Sequence, residues 1–303
     1  MASSGDLLAD RRYAWAEAAL KEGDAAAAAD LARQALEIAP GFAAGWFLLG
    51  QAEQALEHCE AAQAAFAEAL RLDPEDSLGA GLRLAQLGAG EPDRAMSPAY
   101  VRQLFDDYAI RFDRHLVKSL NYRAPALLHD SVRRTCSKRL RPFRFNEALD
   151  LGCGTGLAGE AFRAECGLLA GIDLSPEMVR RAEAKRIYDE LAVGDGAAWL
   201  AMRNDASADL VLAADVFVYI ADLAPIFAEV ARVLRPAGLF AFTVQAHAGE
   251  GVALGEDARY AHGEPYLREF SARSGFAVAL LETVSTRQDR GADVPGLILV
   301  LAR

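Results

Sequence analysis

The chain has little positive charge: 32 Lys and Arg stand against 43 Asp and Glu, a formal net charge of −11 over 303 residues. A chain this acidic does not bind nucleic acid or an anionic membrane through its overall field. It has only four cysteines (Cys59, Cys136, Cys153, Cys166), with no Cys-x-x-Cys pair and no accompanying histidine pattern. That argues against a zinc site or a disulfide framework, so no metal is expected, and the cytoplasm is the expected compartment. No run of about 18 uncharged apolar residues exists to cross a bilayer. Met1–Asp6 lacks a basic start followed by an apolar core, so no secretory signal is expected there. What is present, 52% apolar and 25% charged residues, suffices for packed cores, and the length favours two domains.

The charge is unevenly placed. Residues 1–97 hold 16 acids and 7 bases, residues 98–145 hold 4 acids and 11 bases, and residues 146–303 hold the remaining 23 acids and 14 bases. Three blocks of alternating sign suggest units at about 1–95, 96–145 and 146–303. Residues 7–90 are rich in Ala, Leu, Glu and Arg and nearly free of β-branched residues, a helical composition. Pro40 and Pro74 lie 34 residues apart, which prompts a search for a repeat of that length. Gly23 is expected to end a first helix and Asp24 to cap the next. Residues 77–88 read as a lone further helix, and residues 88–97, with Gly and Pro and no periodicity, as a linker.

From residue 146 apolar strands alternate with helices. Strands are expected at 147–151, 168–173, 190–193, 208–214, 239–244, 277–281 and 297–301. Helices are expected at 157–166, 175–186 and 223–234, the last ended by Arg235-Pro-Ala-Gly238. Such alternation means right-handed βαβ units and a parallel, doubly wound α/β sheet, with ligands at the carboxyl ends of its strands.

The glycine loop Asp150-Leu-Gly-Cys-Gly-Thr-Gly156 falls at such an end. Glycines allow the sharp turn and close ligand approach, and backbone N–H groups at the following helix start are left to face a ligand. Gly154-Thr-Gly-Leu-Ala-Gly159 also satisfies a dinucleotide pattern, but the register decides against it. The strand ends at Leu151, so Gly152 is the first turn glycine and Leu157 stands where a third would be needed. Asp173 ends the second strand 23 residues after Asp150, where an acid accepts ribose hydroxyls. Asp195 follows the third strand and is suited to the adenine amine. Each aspartate taken alone could be a turn or helix-cap residue. Three at the ends of three successive strands point to a nucleoside ligand.

These motifs resemble the class I S-adenosylmethionine-dependent methyltransferases over about residues 98–303. The likeness rests on Leu149–Gly156, Gly171–Met178, Gly194-Asp195, Ala213–Val216 with Tyr219, and Val233–Gly238, where Pro236-Ala-Gly replaces the usual Pro-Gly-Gly. It implies a Rossmann-like sheet of seven strands whose last is antiparallel, inserted beside the sixth. It also implies a cofactor site. Asp150, Gly152, Cys153, Gly154, Thr155 and Gly156 would surround the methionine end, and Asp173 would hold the ribose. Leu174, Ser175 and Met178 would lie near the adenine, and Gly194, Asp195 and Gly196 would meet its edge. Ala214, Asp215, Val216 and Tyr219 would stand beside them, with the Ala214 carbonyl toward the ammonium. Cys153 lies inside this loop, which argues against a nucleophilic thiol. The first block resembles tetratricopeptide repeats through Gly45–Gly50, Ala62, Phe66, Ala69 and Pro74. A degenerate earlier copy has Trp15, Ala16, Ala28, Ala32, Ala35 and Pro40. Such a unit could pack or self-associate, or could dock a protein.

In the basic block, Phe105–Asp113 looks like the lid of this family. It is similar to the methyltransferases related to the Williams–Beuren-region protein and to bacterial proteins joining tetratricopeptide repeats to the same domain. Tyr108 and Phe112 share a helix face, with Tyr100 before them. An aromatic face attracts a sulfonium by roughly 0.5–2 kcal/mol, although these rings could equally pack helix to domain. The basic run 131–144 reads as a solvated helix, with charge pairing to the acidic repeat or nucleic-acid contact as alternatives. Methyl transfer is an in-line displacement in which positioning does much of the work. Where the acceptor must lose a proton, the candidate bases are His262, His247 and Asp215. Residues 247–270 read as a polar insertion over the acceptor. The expected activity is methyl transfer to a small molecule. The alternatives are a scaffold that binds the cofactor without turnover, transfer to a protein docked on the repeats, and a dinucleotide oxidoreductase.

Overall fold

Small residues at helical spacing let the first helices approach closely. The computed structural model describes residues 3–112, 121–289 and 291–303, and the chain divides into two units, Met1–Val101 and Arg102–Arg303. The first unit begins with α1 (Leu7–Glu22) and α2 (Ala25–Ile38), then α3 (Ala43–Ala55), α4 (Cys59–Leu72) and α5 (Ala80–Gln86). Asp6 caps α1 by accepting the Leu8 and Ala9 amides, Gly23 closes it at φ 87°, and Asp24 accepts the Ala27 amide to start α2. Ala16, Ala28, Ala32 and Ala62 are fully buried, and a Cβ on Gly50 would lie 2.6 Å from the Phe66 ring. Trp15, placed by the repeat pattern where a core residue would stand, is 52% exposed and stacks under Arg11.

The stretch expected to be a linker is packed instead. Ala95 is buried, and Ser97 Oγ donates to the Asp76 carbonyl while accepting the Tyr100 amide. These bonds tie it to the turn before α5, where the Asp76 carboxylate holds the Ala80 and Gly81 amides. Helix α6 (Pro98–Tyr108) follows, and the division between the units falls within it.

The second unit continues with α7 (Ala124–Lys138), β1 (Phe145–Leu151), α8 (Leu157–Phe162), β2 (Cys166–Asp173), α9 (Pro176–Lys185), β3 (Glu190–Val193), α10 (Gly196–Ala201) and β4 (Ala208–Ala213). Then come α11 (Ala224–Val233), β5 (Leu234–His247), β6 (Val252–Leu254), β7 (Tyr260–Gly263), α12 (Glu264–Arg273), β8 (Ala277–Val284), β9 (Gln288–Asp289), β10 (Ala292–Asp293) and β11 (Gly296–Ala302). The main sheet runs β3-β2-β1-β4-β5-β11-β8, parallel until β11, which is antiparallel to both neighbours. This is the mixed α/β, Rossmann-like fold with a central sheet. Alternate residues of β5 feed opposite faces: Phe240, Phe242 and Val244 meet Trp199 and Phe227 on one side, and Leu239 and Ala241 join Leu128, Val132 and Phe162 on the other.

Three local expectations change. The helix over 157–166 ends at Phe162, because Cys166 pairs with Phe145 and already belongs to β2. Arg235–Gly238 is not a free turn after a helix but the irregular start of β5. The ladder to β4 shifts register there, and Ala237 adopts φ 65° to absorb the shift. The polar insertion at 247–270 is ordered: β7 pairs parallel with β5 and antiparallel with β6, and α12 begins at Glu264.

Candidate functional site

The carboxyl ends of β1, β2 and β4 converge on the glycine loop. Gly152, Gly154 and Gly156 have φ of 61°, 54° and 90°, where side chains are strained. A Cβ on Gly152 would also lie 2.5 Å from Val216. The loop is pinned to β2: the Cys153 amide donates to the Ile172 carbonyl, and the Gly154 amide donates to Asp173 Oδ2 at 2.8 Å. Asp173 Oδ1 accepts the Ser175 amide at 2.9 Å. Burial raises the Asp173 carboxyl to about 6 and the Asp150 carboxyl to about 7. Asp150 is fully buried; Tyr188 Oη donates to its Oδ2 at 2.6 Å, and Oδ1 has no donor among the described residues. Burial keeps Cys153 a thiol, its pKa well above the ordinary value, which fits the reading against a nucleophile.

Tyr188, which the sequence reading missed, lies in a slot made by three glycines. A Cβ would approach its ring or hydroxyl to 3.1 Å from Gly156, 2.3 Å from Gly159 and 2.9 Å from Gly171. Asp106 of α6, also missed, accepts Ser175 Oγ at 2.5 Å, while that hydroxyl takes the Met178 amide and caps α9. An aromatic cluster joins α6 to the end of β4. Phe105 meets Tyr219 at 5.2 Å, and Phe112 meets Tyr108 at 5.3 Å and stands over Gly154. Asp113, the last residue of the expected lid, and residues 114–120 lie outside the described residues.

The remaining candidates divide. Thr155 and Met178 are buried beside the loop and α9; Leu174, Gly194, Gly196 and Ala214 are half-buried. Asp195 is exposed and caps α10 through the Ala198 amide. Tyr100 belongs to the first unit, where its ring lies against Gly79. His262 is not in a loop: it sits in β7, fully buried, and burial lowers its pKa to about 4. His247 ends β5 with both ring nitrogens engaged, Nδ1 by the Gly249 amide and Nε2 by the Gly251 carbonyl.

Asp215 has φ 57° and anchors a polar network at the ends of β4 and β5. Its Oδ1 accepts the Thr243 and Thr286 hydroxyls at 2.8 and 3.3 Å, and its Oδ2 faces Arg287 Nη1 at 3.4 Å. Tyr122 precedes α7, whose start is bonded to the β8–β9 turn through the Arg123 amide and Thr286 carbonyl. Burial holds the Tyr122 phenol well above its ordinary range, with Asp215 adding to the rise. No sequence spacing pointed to Tyr122, Arg259 or Arg287, because they come from segments far apart in the chain.

Residues 149–242 match the family model described as methyltransferase domain. Over that stretch, about a third of its length, the chain is similar to a methyltransferase domain. The chain is 30% identical over 124 residues to a malonyl-[acyl-carrier protein] O-methyltransferase of Serratia marcescens, covering 41% of this chain and 48% of that one. It is 33% identical over 135 residues to a botryococcene C-methyltransferase of Botryococcus braunii, covering 42% and 34%. The chain thus spans about half or less of these curated relatives. Among solved structures, magnesium protoporphyrin IX methyltransferase of Synechocystis PCC 6803, with bound SAH, is similar in fold. The TM-score is 0.50 at 17% identity, over 68% of this chain and 99% of that one.

Proposed function

We propose that the protein transfers a methyl group from S-adenosylmethionine to a small-molecule acceptor. One observation carries the reading: a buried carboxyl, Asp150, and a half-buried one, Asp173, end adjacent strands on either side of a glycine loop, and Asp150 Oδ1 lacks a donor among the described residues. The residues fit the cofactor on that ground. A cationic amino-acid end would supply the missing partner at Asp150, and Asp173 retains lone pairs for ribose hydroxyls beyond the two amides it accepts. When bound, the cofactor supplies an electrophilic methyl on a sulfonium. Asp195 and Gly196 would meet the adenine edge, with Met178 and Leu174 beside it. Phe112 and Tyr108 would cover the loop, and Asp106, through Ser175, would orient α9. Residues 96–145 would carry the lid, with 146–303 as the catalytic part.

The catalytic role of His262 loses support from its place in a buried strand, and a pKa near 4 makes it a weak base at neutral pH. Asp215 stays the better-placed candidate. The first unit, read over residues 1–95, is taken as tetratricopeptide-like for the Gly50–Phe66 approach and the 34-residue proline spacing. It would serve self-association or a protein partner. Cofactor binding without turnover is not favoured, since the curated relatives are named for methyl transfer. Isothermal calorimetry with S-adenosylhomocysteine and with NAD tests the reading. The first is expected to bind one site per chain and NAD not to bind; no S-adenosylhomocysteine heat up to millimolar concentration would contradict it.

A further inference from the structure

Two arginines of this unit, Arg259 just before β7 and Arg287 just after β8, lack a close carboxylate fork. Arg134 shows how a guanidinium is neutralised elsewhere in the same unit: Glu282 grips it with two parallel bonds, both 2.6 Å. Arg287 has no such fork. Its side chain is 4% exposed, its nearest carboxylate is Asp215 at 3.4 Å, its Nη2 donates to the neutral Gln245 Oε1 at 2.7 Å, and its buried Nε has no partner. Arg259, 27% exposed, reaches Asp257 only at 4.0 Å and hydrogen-bonds Tyr219.

The nearby carboxylates are shared with other donors. Asp215 Oδ1 takes two threonine hydroxyls, and Asp257 Oδ2 takes the Gln245 amide at 3.0 Å. A buried guanidinium without a close bidentate partner is costly unless something else pairs with it. Planar oxyanions match its donor fork. The place is also the one where a doubly wound sheet meets its ligands, and Gln245 links Arg287 to Asp257, the carboxylate 4.0 Å from Arg259.

We propose that Arg287 and Arg259 form an anion subsite that holds a carboxylate of the methyl acceptor. This rests on the proposed methyltransferase reading and narrows its acceptor to acids. The carboxylate docks at the ends of β4 and β5, beside Tyr122, Tyr219 and Asp215, opposite the glycine loop's side of β4.

The test is binding, read by ligand-observed NMR on the full chain saturated with S-adenosylhomocysteine. The probes are butyrate, succinate and benzoate, each against its amide. At least one acid is expected to bind at least tenfold more tightly than its amide. Arg259→Gln and Arg287→Lys should each reduce that preference at least fivefold, while S-adenosylhomocysteine affinity stays within about twofold. Arg259 is the more exposed of the two, so its variant keeps the test open if Arg287→Lys misfolds. Acids and amides binding alike, or a preference that survives in Arg259→Gln, would overturn the proposal. So would a loss of S-adenosylhomocysteine affinity in the folded variants, since the guanidinium would then serve the cofactor's own carboxylate. Failure of the unaltered chain to bind S-adenosylhomocysteine would instead overturn the underlying reading.

Discussion

Both units use glycine to bring large side chains close, and they do different things with the space. In the first, Gly50 admits the Phe66 ring, and the contact ends in apolar packing among Ala62, Ala69 and Leu84. In the second, Gly156, Gly159 and Gly171 admit Tyr188, and the contact ends in a hydroxyl donating to the buried Asp150. The first arrangement is closed: no buried side-chain N or O among that unit's described residues lacks a partner. The second leaves an acceptor oxygen open and two carboxyls displaced toward neutrality. A fold stores chemical capacity where packing stops short of satisfying a polar group, and here that happens at the ends of β1 and β2.

That contrast can be broken first at Asp173. Asp173→Ala should weaken S-adenosylhomocysteine binding by about 100-fold, since hydrogen bonds to a charged group contribute about 1.5–3 kcal/mol each; calorimetry reads it, and a change under threefold would remove the aspartate from the site. Next come the two glycines. Gly159→Ala should cost about 3 kcal/mol, because its Cβ would meet Tyr188 at 2.3 Å, and should lower cofactor affinity as well. Gly50→Ala should cost about 2 kcal/mol and leave affinity within twofold. Denaturant unfolding with parallel calorimetry separates the two outcomes.

A smaller effect concerns pH. With Asp150 raised to about 7, the folded chain holds a proton between roughly pH 4 and 7 that the unfolded chain has released, so its contribution to stability falls as pH rises. His262, lowered to about 4, acts with the opposite sign up to about pH 6.5. The measurement is therefore the difference between the natural chain and Asp150→Asn: relative to that variant, the natural chain should lose stability as pH rises from 4 to 7. Smallest is Ala237→Gly, which relieves φ 65° at the start of β5 and should raise stability by about 0.5 kcal/mol.

What could be read from sequence follows from locality. Strand periodicity, Gly23 and Asp24 between helices, Ser175 before Pro176, and the loop Asp150–Gly156 are all local patterns, and the structure has each where its chemistry demands. The irregular start of β5 was missed because its cause is the register against β4, a pairing no local window contains. His262 was misjudged for the same reason. Its polarity suggested a loop, but pairing with Ala246 and Val252 buries it. Tyr188, Asp106, Tyr122, Arg259 and Arg287 act through partners far away in sequence, and no spacing marks them.

The central claim is that the ends of β1 and β2 form a nucleoside site. A crystal structure of the chain soaked with S-adenosylhomocysteine tests it most directly. The account predicts the ribose hydroxyls within hydrogen-bond distance of Asp173 and the amino-acid end against the Asp150–Gly156 loop. Density for the ligand elsewhere, with that loop and Asp173 untouched, would contradict it.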